Sequence, residues 1–278
     1  MRFDIDQYLT KVAPLDDSDI DYDSFRSHPV DADTLRCLQY MHDIEHHTTC
    51  YLRDLLVTSA HEDPEVTTFL AMWAFEEYWH GEAIGRVLEM HGVTAGRERI
   101  GATRRRVGRD RLRTLGFIAA SSVTDHIVAI AMTWGAINEW TTQAGYLRLA
   151  SSADHPELAK LLRRIAKQEG RHIDFYAAQA AQRLATRGAR RATRFALRHK
   201  WQPVGSNVMP SEETDHLVRH LFSGAPGAAM AARIDRRIGS LPGLAGLDLI
   251  EGVRRASLGV ESVIEYDRVE VDRHLVAV

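Results

Sequence analysis

Apolar residues recur at three- and four-residue spacing along most of the chain, and strand-like alternation is weak, so the pattern predicts an all-α protein. A first helix is predicted over 35–59, with Leu35, Leu38, Met41, Leu52, Leu55 and Leu56 on its apolar face. The run ends at His61-Glu62-Asp63-Pro64. There Asp63 has the chemistry of an N-cap, Pro64 suits the first helical position, and Glu65 falls in the first turn. The second helix extends to His91, with Gly92 as its stop. A connection rich in glycine and arginine, 92–110, leads to a third, strongly apolar helix from Leu112 to Ser151. Its Gly116, Gly135 and Gly145 are points of bending or interruption. A second break, Ser152-Ala153-Asp154-His155-Pro156, restarts a fourth helix that runs to Thr186, before Gly188. Beyond it come a basic stretch, a loop with Pro203, Gly205 and Pro210, and helices near 211–223, 226–239 and 246–268. The division expected is an acidic N-terminal extension (1–34), a four-helix bundle (35–187) and additional helices packed on it (188–278).

Composition adds limits. A chain of 278 residues that is 45% hydrophobic can bury a full core. No apolar run reaches the roughly 18 residues that a membrane span needs, and MRFDIDQYLT lacks the apolar centre of a signal peptide. Cys37 and Cys50 lie 13 residues apart in the first predicted helix. That is about 20 Å along its axis, too far for a disulfide, so a cytoplasmic setting is expected. The net charge of −3 hides segregation. Residues 1–34 hold nine Asp against Arg2, Lys11 and Arg26, residues 97–113 hold eight Arg against Glu98 and Asp110, and residues 183–200 hold no acid at all. The basic stretches read either as solvated faces or as a docking surface for an acidic partner. Nucleic acid fits less well, because 97–113 holds no aromatic residue and 183–200 only Phe195.

The two proline breaks are in register with two metal-type motifs. Thirteen residues after Pro64 comes Glu77-Tyr78-Trp79-His80, and thirteen after Pro156 comes Glu169-Gly170-Arg171-His172. Each break is preceded by a helix carrying a glutamate, Glu45 in one case and Glu139 in the other. One pattern therefore occurs twice: helix with Glu, turn with Pro, helix with Glu-x-x-His. Residues three apart share a helix face, so each Glu-x-x-His can point at one site. Two such hairpins packed together supply the ligand set of carboxylate-bridged di-iron or di-manganese bundles. Four carboxylates balance two divalent cations, and oxygen and nitrogen donors suit Fe or Mn. The candidate metal ligands are thus Glu45, Glu77, His80, Glu139, Glu169 and His172. A third copy, Glu213-Thr214-Asp215-His216, lacks a partner helix with a centred Glu and reads as a solvated first turn. Glu76 is expected beside the ligands or at the surface, His42, His46 and His47 at the helix surface or in caps, and Trp73, Phe75, Trp79, Trp134 and Trp140 mostly in the core.

These motifs resemble the soluble acyl-carrier-protein desaturases of the ferritin-like superfamily. Residues 73–82, WAFEEYWHGE, are similar to that family's Glu-Glu-x-x-His-Gly helix, and 165–172, IAKQEGRH, to its Asp-Glu-x-Arg-His helix. Leu115-Gly116-Phe117-Ile118 resembles the start of its third ligand helix, and Asn138-Glu139-Trp140-Thr141-Thr142 its ligand turn. Val208-Met209-Pro210 resembles a Met-Pro element. The likeness covers about residues 35–222, weakens in 92–111 and ends after 223. It implies a ferritin-like bundle with two Fe ions, dioxygen-dependent removal of hydrogen from adjacent carbons of an acyl chain, and Thr142 beside the oxygen-binding face. It also implies an acyl carrier protein as substrate carrier, docked on arginines such as Arg104, Arg105, Arg106 and Arg109, with a ferredoxin-type electron donor and a homodimer. One departure bears on electron delivery: where the family has aspartate before the last ligand glutamate, this chain has the neutral Gln168. Two other readings stay open. One is a hydroxylase or N-oxygenase with the same metals; the other is a ferritin-type iron store, which the roughly 90 residues after the bundle disfavour.

Overall fold

Asp31, Asp63 and Thr186 each turn a side-chain oxygen onto the first backbone N–H groups of a helix, and such caps punctuate the chain. The structure is a computed structural model that describes residues 3–107, 115, 116, 118, 124 and 126–259. It is helical throughout, with no β-strand among the described residues. Helices α1 (Ile5–Leu9) and α2 (Ser24–Ser27) are short. They precede α3 (Ala32–Glu45), α4 (Thr48–Leu56), a 3-10 turn (Ser59–Glu62), α5 (Pro64–Met90) and α6 (Gly96–Arg106). Then come α7 (Ile127–Ser152), α8 (Pro156–Arg183), α9 (Arg187–Lys200), α10 (Ser211–Phe222), α11 (Gly224–Ser240) and α12 (Leu249–Leu258).

Helices α3, α5, α7 and α8 surround the core. Gly81 meets His46 and Gly85 meets His42, so α3 and α5 run antiparallel. Gly135 lies against Tyr176 and Gln143 bonds the Ala166 carbonyl, which sets α7 and α8 antiparallel too. Phe69 stacks on Phe175 with ring centroids 3.7 Å apart, and His80 meets Gln168, closing α5 against α8. The helix starts at Pro64 and Pro156 and the left-handed stop at Gly92 stand where the pattern put them.

Several predicted elements change. The single helix expected over 35–59 breaks immediately after Glu45, at His46-His47, and resumes as α4; Thr48 Oγ1 donates to the Glu45 carbonyl at 2.6 Å and occupies the freed acceptor. The connection 92–110 contains α6, and the basic stretch after Gly188 is itself a helix, α9. Helix α7 runs uninterrupted through Gly135 and Gly145, starting at Ile127. The predicted start at Leu112, Phe117, Arg109, the side chain of Arg106 and the end of the predicted helix 246–268 lie outside the described residues.

The acidic N-terminal residues lie along α5 and α8. Tyr8, Leu15, Ile20 and Phe25 enter the core, while Asp17 pairs with Arg86 and Asp19 with Lys160 and Arg164. At the other end, α10 packs on α3 and α7, and α11 and α12 pack on each other. No helix among the described residues is long and apolar enough to cross a membrane.

Candidate metal centre

All six predicted ligands converge. Glu45 comes from the last turn of α3, Glu77 and His80 from mid-α5, Glu139 from mid-α7, and Glu169 and His172 from mid-α8; none is more than 6% exposed. Their donor atoms form two overlapping groups, each spanning no more than 4.8 Å. One group is Glu45, Glu77, His80 and Glu169; the other is Glu77, Glu139, Glu169 and His172. Glu77 and Glu169 belong to both.

The shared carboxylates divide their oxygens between the halves. Glu77 Oε2 and Glu169 Oε1 lie 3.2 and 3.3 Å from His80 Nδ1, whereas Glu77 Oε1 and Glu169 Oε2 lie 3.1 and 3.0 Å from His172 Nδ1. Glu77 and Glu169 thus face both histidines, with Glu45 in the His80 group and Glu139 in the His172 group, and each group could hold a cation.

Four of the six candidate ligands are held from behind. His80 Nε2 meets Gln168 Oε1 at 2.9 Å and His172 Nε2 meets Glu76 Oε2 at 3.0 Å. These acceptors call for N–H on each Nε2 and turn each Nδ1 toward the centre. The two Glu-x-x-His helices thus cross-brace: the residue preceding each ligand glutamate holds the histidine of the other helix. Tyr146 donates its hydroxyl to Glu45 Oε1, and Trp73 Nε1 donates to Glu139 Oε1 at 3.1 Å.

Burial dominates the electrostatics. It pushes Glu45 and Glu139 well above the usual carboxylate range, and neighbouring carboxylates push the same way, chiefly Glu77 on Glu45 and Glu169 on Glu139. Burial opposes charge on His80, but its bonds to Glu169 and Glu77 outweigh that and raise it to about 9; His172 is raised in the same manner. Four carboxylates this close can be balanced by protons and imidazolium, or by cations. Glu169 Oε1 is buried and receives no well-aligned hydrogen bond, so a cation would satisfy it. The donor set, oxygen with two imidazoles and no thiolate, fits iron or manganese.

A mostly apolar cavity of about 310 Å³ reaches the centre on the side of Glu45, Glu77 and Glu139. Thr142, one turn beyond Glu139, lines it together with Thr141, Asn138 and Ala131 of α7. Its far wall is C-terminal: Trp201–Gly205, Leu217 and Leu221 of α10, and Ile250 and Val253 of α12. A second pocket, about 280 Å³, meets Glu45 from the other side and is lined by His46, Arg97 and Arg104.

Residues outside the ligand set follow expectation in part. His46 and His47 do hold cap positions, ending α3 and starting α4, but all three histidines are buried, not superficial: His42 bonds Asp43 and accepts from Gly96 N, and His46 packs where Gly81 has no side chain. Glu76 takes the first of its two expected places, fully buried beside His172, whereas Phe75, expected in the core, is 39% exposed. In the third motif Glu213 pairs with Arg36, with His216 beside the same guanidinium, so it docks α10 on α3. Arg104 donates to the His46 carbonyl and to Thr49, bracing the break after Glu45. Tyr146, Tyr8 and Trp73 carried no sequence signal as partners of Glu45, Glu76 and Glu139.

Fold and site together define an all-helical protein with a buried glutamate–histidine cluster that could hold metal. The sequence matches no protein-family model, and no curated protein matches it.

Proposed function

We propose that the protein is a di-iron, dioxygen-dependent oxidoreductase acting on an acyl chain, an acyl-carrier-protein desaturase in kind, built on a ferritin-like bundle. The observation that carries this reading is the meeting of two features: paired ligand groups sharing Glu77 and Glu169, and an apolar cavity ending on Glu45, Glu77 and Glu139. Glu45, Glu77, His80, Glu139, Glu169 and His172 would hold the two ions. Bound iron supplies the electrons that reduce dioxygen and the oxidising power needed to break a C–H bond. The protein's own part is to hold and exclude. Apolar walls from α7, α10 and α12 align a hydrocarbon chain beside the carboxylates and keep water from the reacting carbons. Thr142 places a hydroxyl in the same wall as Glu139, suited to handing on protons.

In desaturation, two hydrogens leave adjacent carbons; with dioxygen, two protons and two electrons from a ferredoxin-type donor they leave as two waters. Exposed arginines such as Arg105 would meet an acidic carrier protein. The same cavity and donors serve a hydroxylase if oxygen returns to the carbon.

Metal analysis and an optical spectrum taken on reduction and re-exposure to air test the proposal. The expected result is about two irons per chain and an oxygen-dependent band. No iron or manganese after anaerobic loading would overturn it.

A further inference from the structure

The two halves of the centre are braced by chemically different residues. Behind His80 stands Gln168, a neutral amide on a half-buried position, whose own nitrogen reaches the Ala13 carbonyl at 3.4 Å. Behind His172 stands Glu76, 0% exposed and itself fixed from two further directions: Tyr8 donates its hydroxyl at 2.8 Å, and Arg171 donates Nη2 to the other oxygen. The Arg171 guanidinium lets Glu76 stay ionised despite its burial. An anionic acceptor on the distal N–H of an imidazole fixes the ring and raises the donor strength of the opposite nitrogen more than a neutral amide does. The carboxylates differ in the same sense. Glu139 projects from the middle of α7, whereas Glu45 ends α3 at a break in the helix and borders both cavities. A ligand on continuous helix is held more firmly than one at a terminus.

We infer that the centre is unequal: the position formed by Glu139 and His172 binds metal more tightly and fills first, with Glu76, anchored by Tyr8, as the positioning residue responsible. This deepens the metal reading above and rests on it. It also gives the N-terminal segment a task, since the Tyr8 hydroxyl holds Glu76, which holds His172.

The test is anaerobic titration of the full chain with Mn2+, followed by calorimetry and by electron paramagnetic resonance. An isolated ion and a coupled pair give different spectra, so the two steps are separable. His80→Ala should keep one site with the affinity of the first step, and His172→Ala one site with that of the second. Glu76→Gln should weaken the first step by roughly 10- to 100-fold and leave the second nearly unchanged, with Tyr8→Phe smaller in the same direction. Gln168→Glu keeps every buried ion pair, so it tests the idea even where Glu76→Gln unfolds the chain; it should tighten the second step and bring the two together. Equal affinities in His80→Ala and His172→Ala, or no tightening in Gln168→Glu, would overturn the inequality and leave the metal reading standing. Failure of the wild type to bind Mn2+ or Fe2+ would overturn the metal reading itself.

Discussion

Gly135 and Gly145 lie in one helix, ten residues apart, and their surroundings set opposite outcomes for the same substitution. A methyl group on Gly135 would fall on the ring of Tyr176, which is buried against Trp73 at a centroid distance of 5.9 Å; Trp73 in turn holds Glu139. A methyl on Gly145 would meet only the tips of Leu221 and Met41, at 3.2 and 3.3 Å. Alanine gains about 1 kcal/mol over glycine inside a helix. Gly135→Ala is therefore expected to lose about 1–3 kcal/mol net through overpacking, whereas Gly145→Ala stays within about 1 kcal/mol of the wild type. Urea unfolding of both variants checks this; equal losses would show that the Tyr176 ring is not the constraint. Such residue-scale detail could not be read from the sequence, where both positions are simply glycines in an apolar run.

At the scale of elements, α6 is tied to α3 by one ion pair. Arg99 Nε and Nη2 lie 2.6 and 3.0 Å from the two oxygens of Asp43, which is 4% exposed. Burial alone would push the Asp43 carboxyl up, but hydrogen bonds from His42 and Arg99 outweigh it and hold it below the usual range. A depressed carboxyl stabilises the fold above its unfolded value of about 4, and that contribution fades as pH falls through the folded value. Arg99→Met should cost about 1–3 kcal/mol at neutral pH, less than for a fully buried pair because the Arg99 side chain is 24% exposed. The difference from wild type should shrink as pH drops below about 4. Urea midpoints across that range decide it; a pH-independent difference would mean that Arg99 acts through packing alone. Here the sequence pattern misled, since 92–110 reads as a connection: arginines dominate the stretch and leave α6 little apolar periodicity.

On the whole-molecule scale, the cavity joins parts that are remote in sequence. One wall belongs to α10, α12 and the segment after α9, and another part of its lining to the carboxylates of α3, α5 and α7. Ala131, half-buried on α7, faces that space. Replacing it by phenylalanine should fill the cavity without touching a candidate ligand. Metal content should stay unchanged while kcat/KM for acyl oxidation falls at least tenfold, about 1.4 kcal/mol of transition-state stabilisation. Full activity in Ala131→Phe would place the substrate elsewhere.

The six clustered side chains were legible in the sequence because local rules fix them. Helix periodicity sets which residues share a face, the Asp63-Pro64 and His155-Pro156 starts set the phase, and the repeat doubles the signal. Helix breaks were less legible. His46-His47-Thr48-Thr49 is a run of poor helix formers, but only the Thr48 bond to the Glu45 carbonyl and the packing of His46 on Gly81 decide that the chain bends there. What supports the centre was legible only in part: Glu76 and Gln168 stand next to ligand glutamates in the chain, but which histidine each holds did not show. Tyr8 lies 68 residues from Glu76, Tyr146 101 from Glu45, and Gln168 88 from His80. Contacts at such separations carry no local periodicity; they exist because packing brings distant helices together. The sequence by itself therefore determined the helical class and the six clustered donors, whereas only the tertiary structure decided where helices break, which groups back each donor and which residues line the cavity. A hydrogen-bond partner is chosen by space, and the chain records only order.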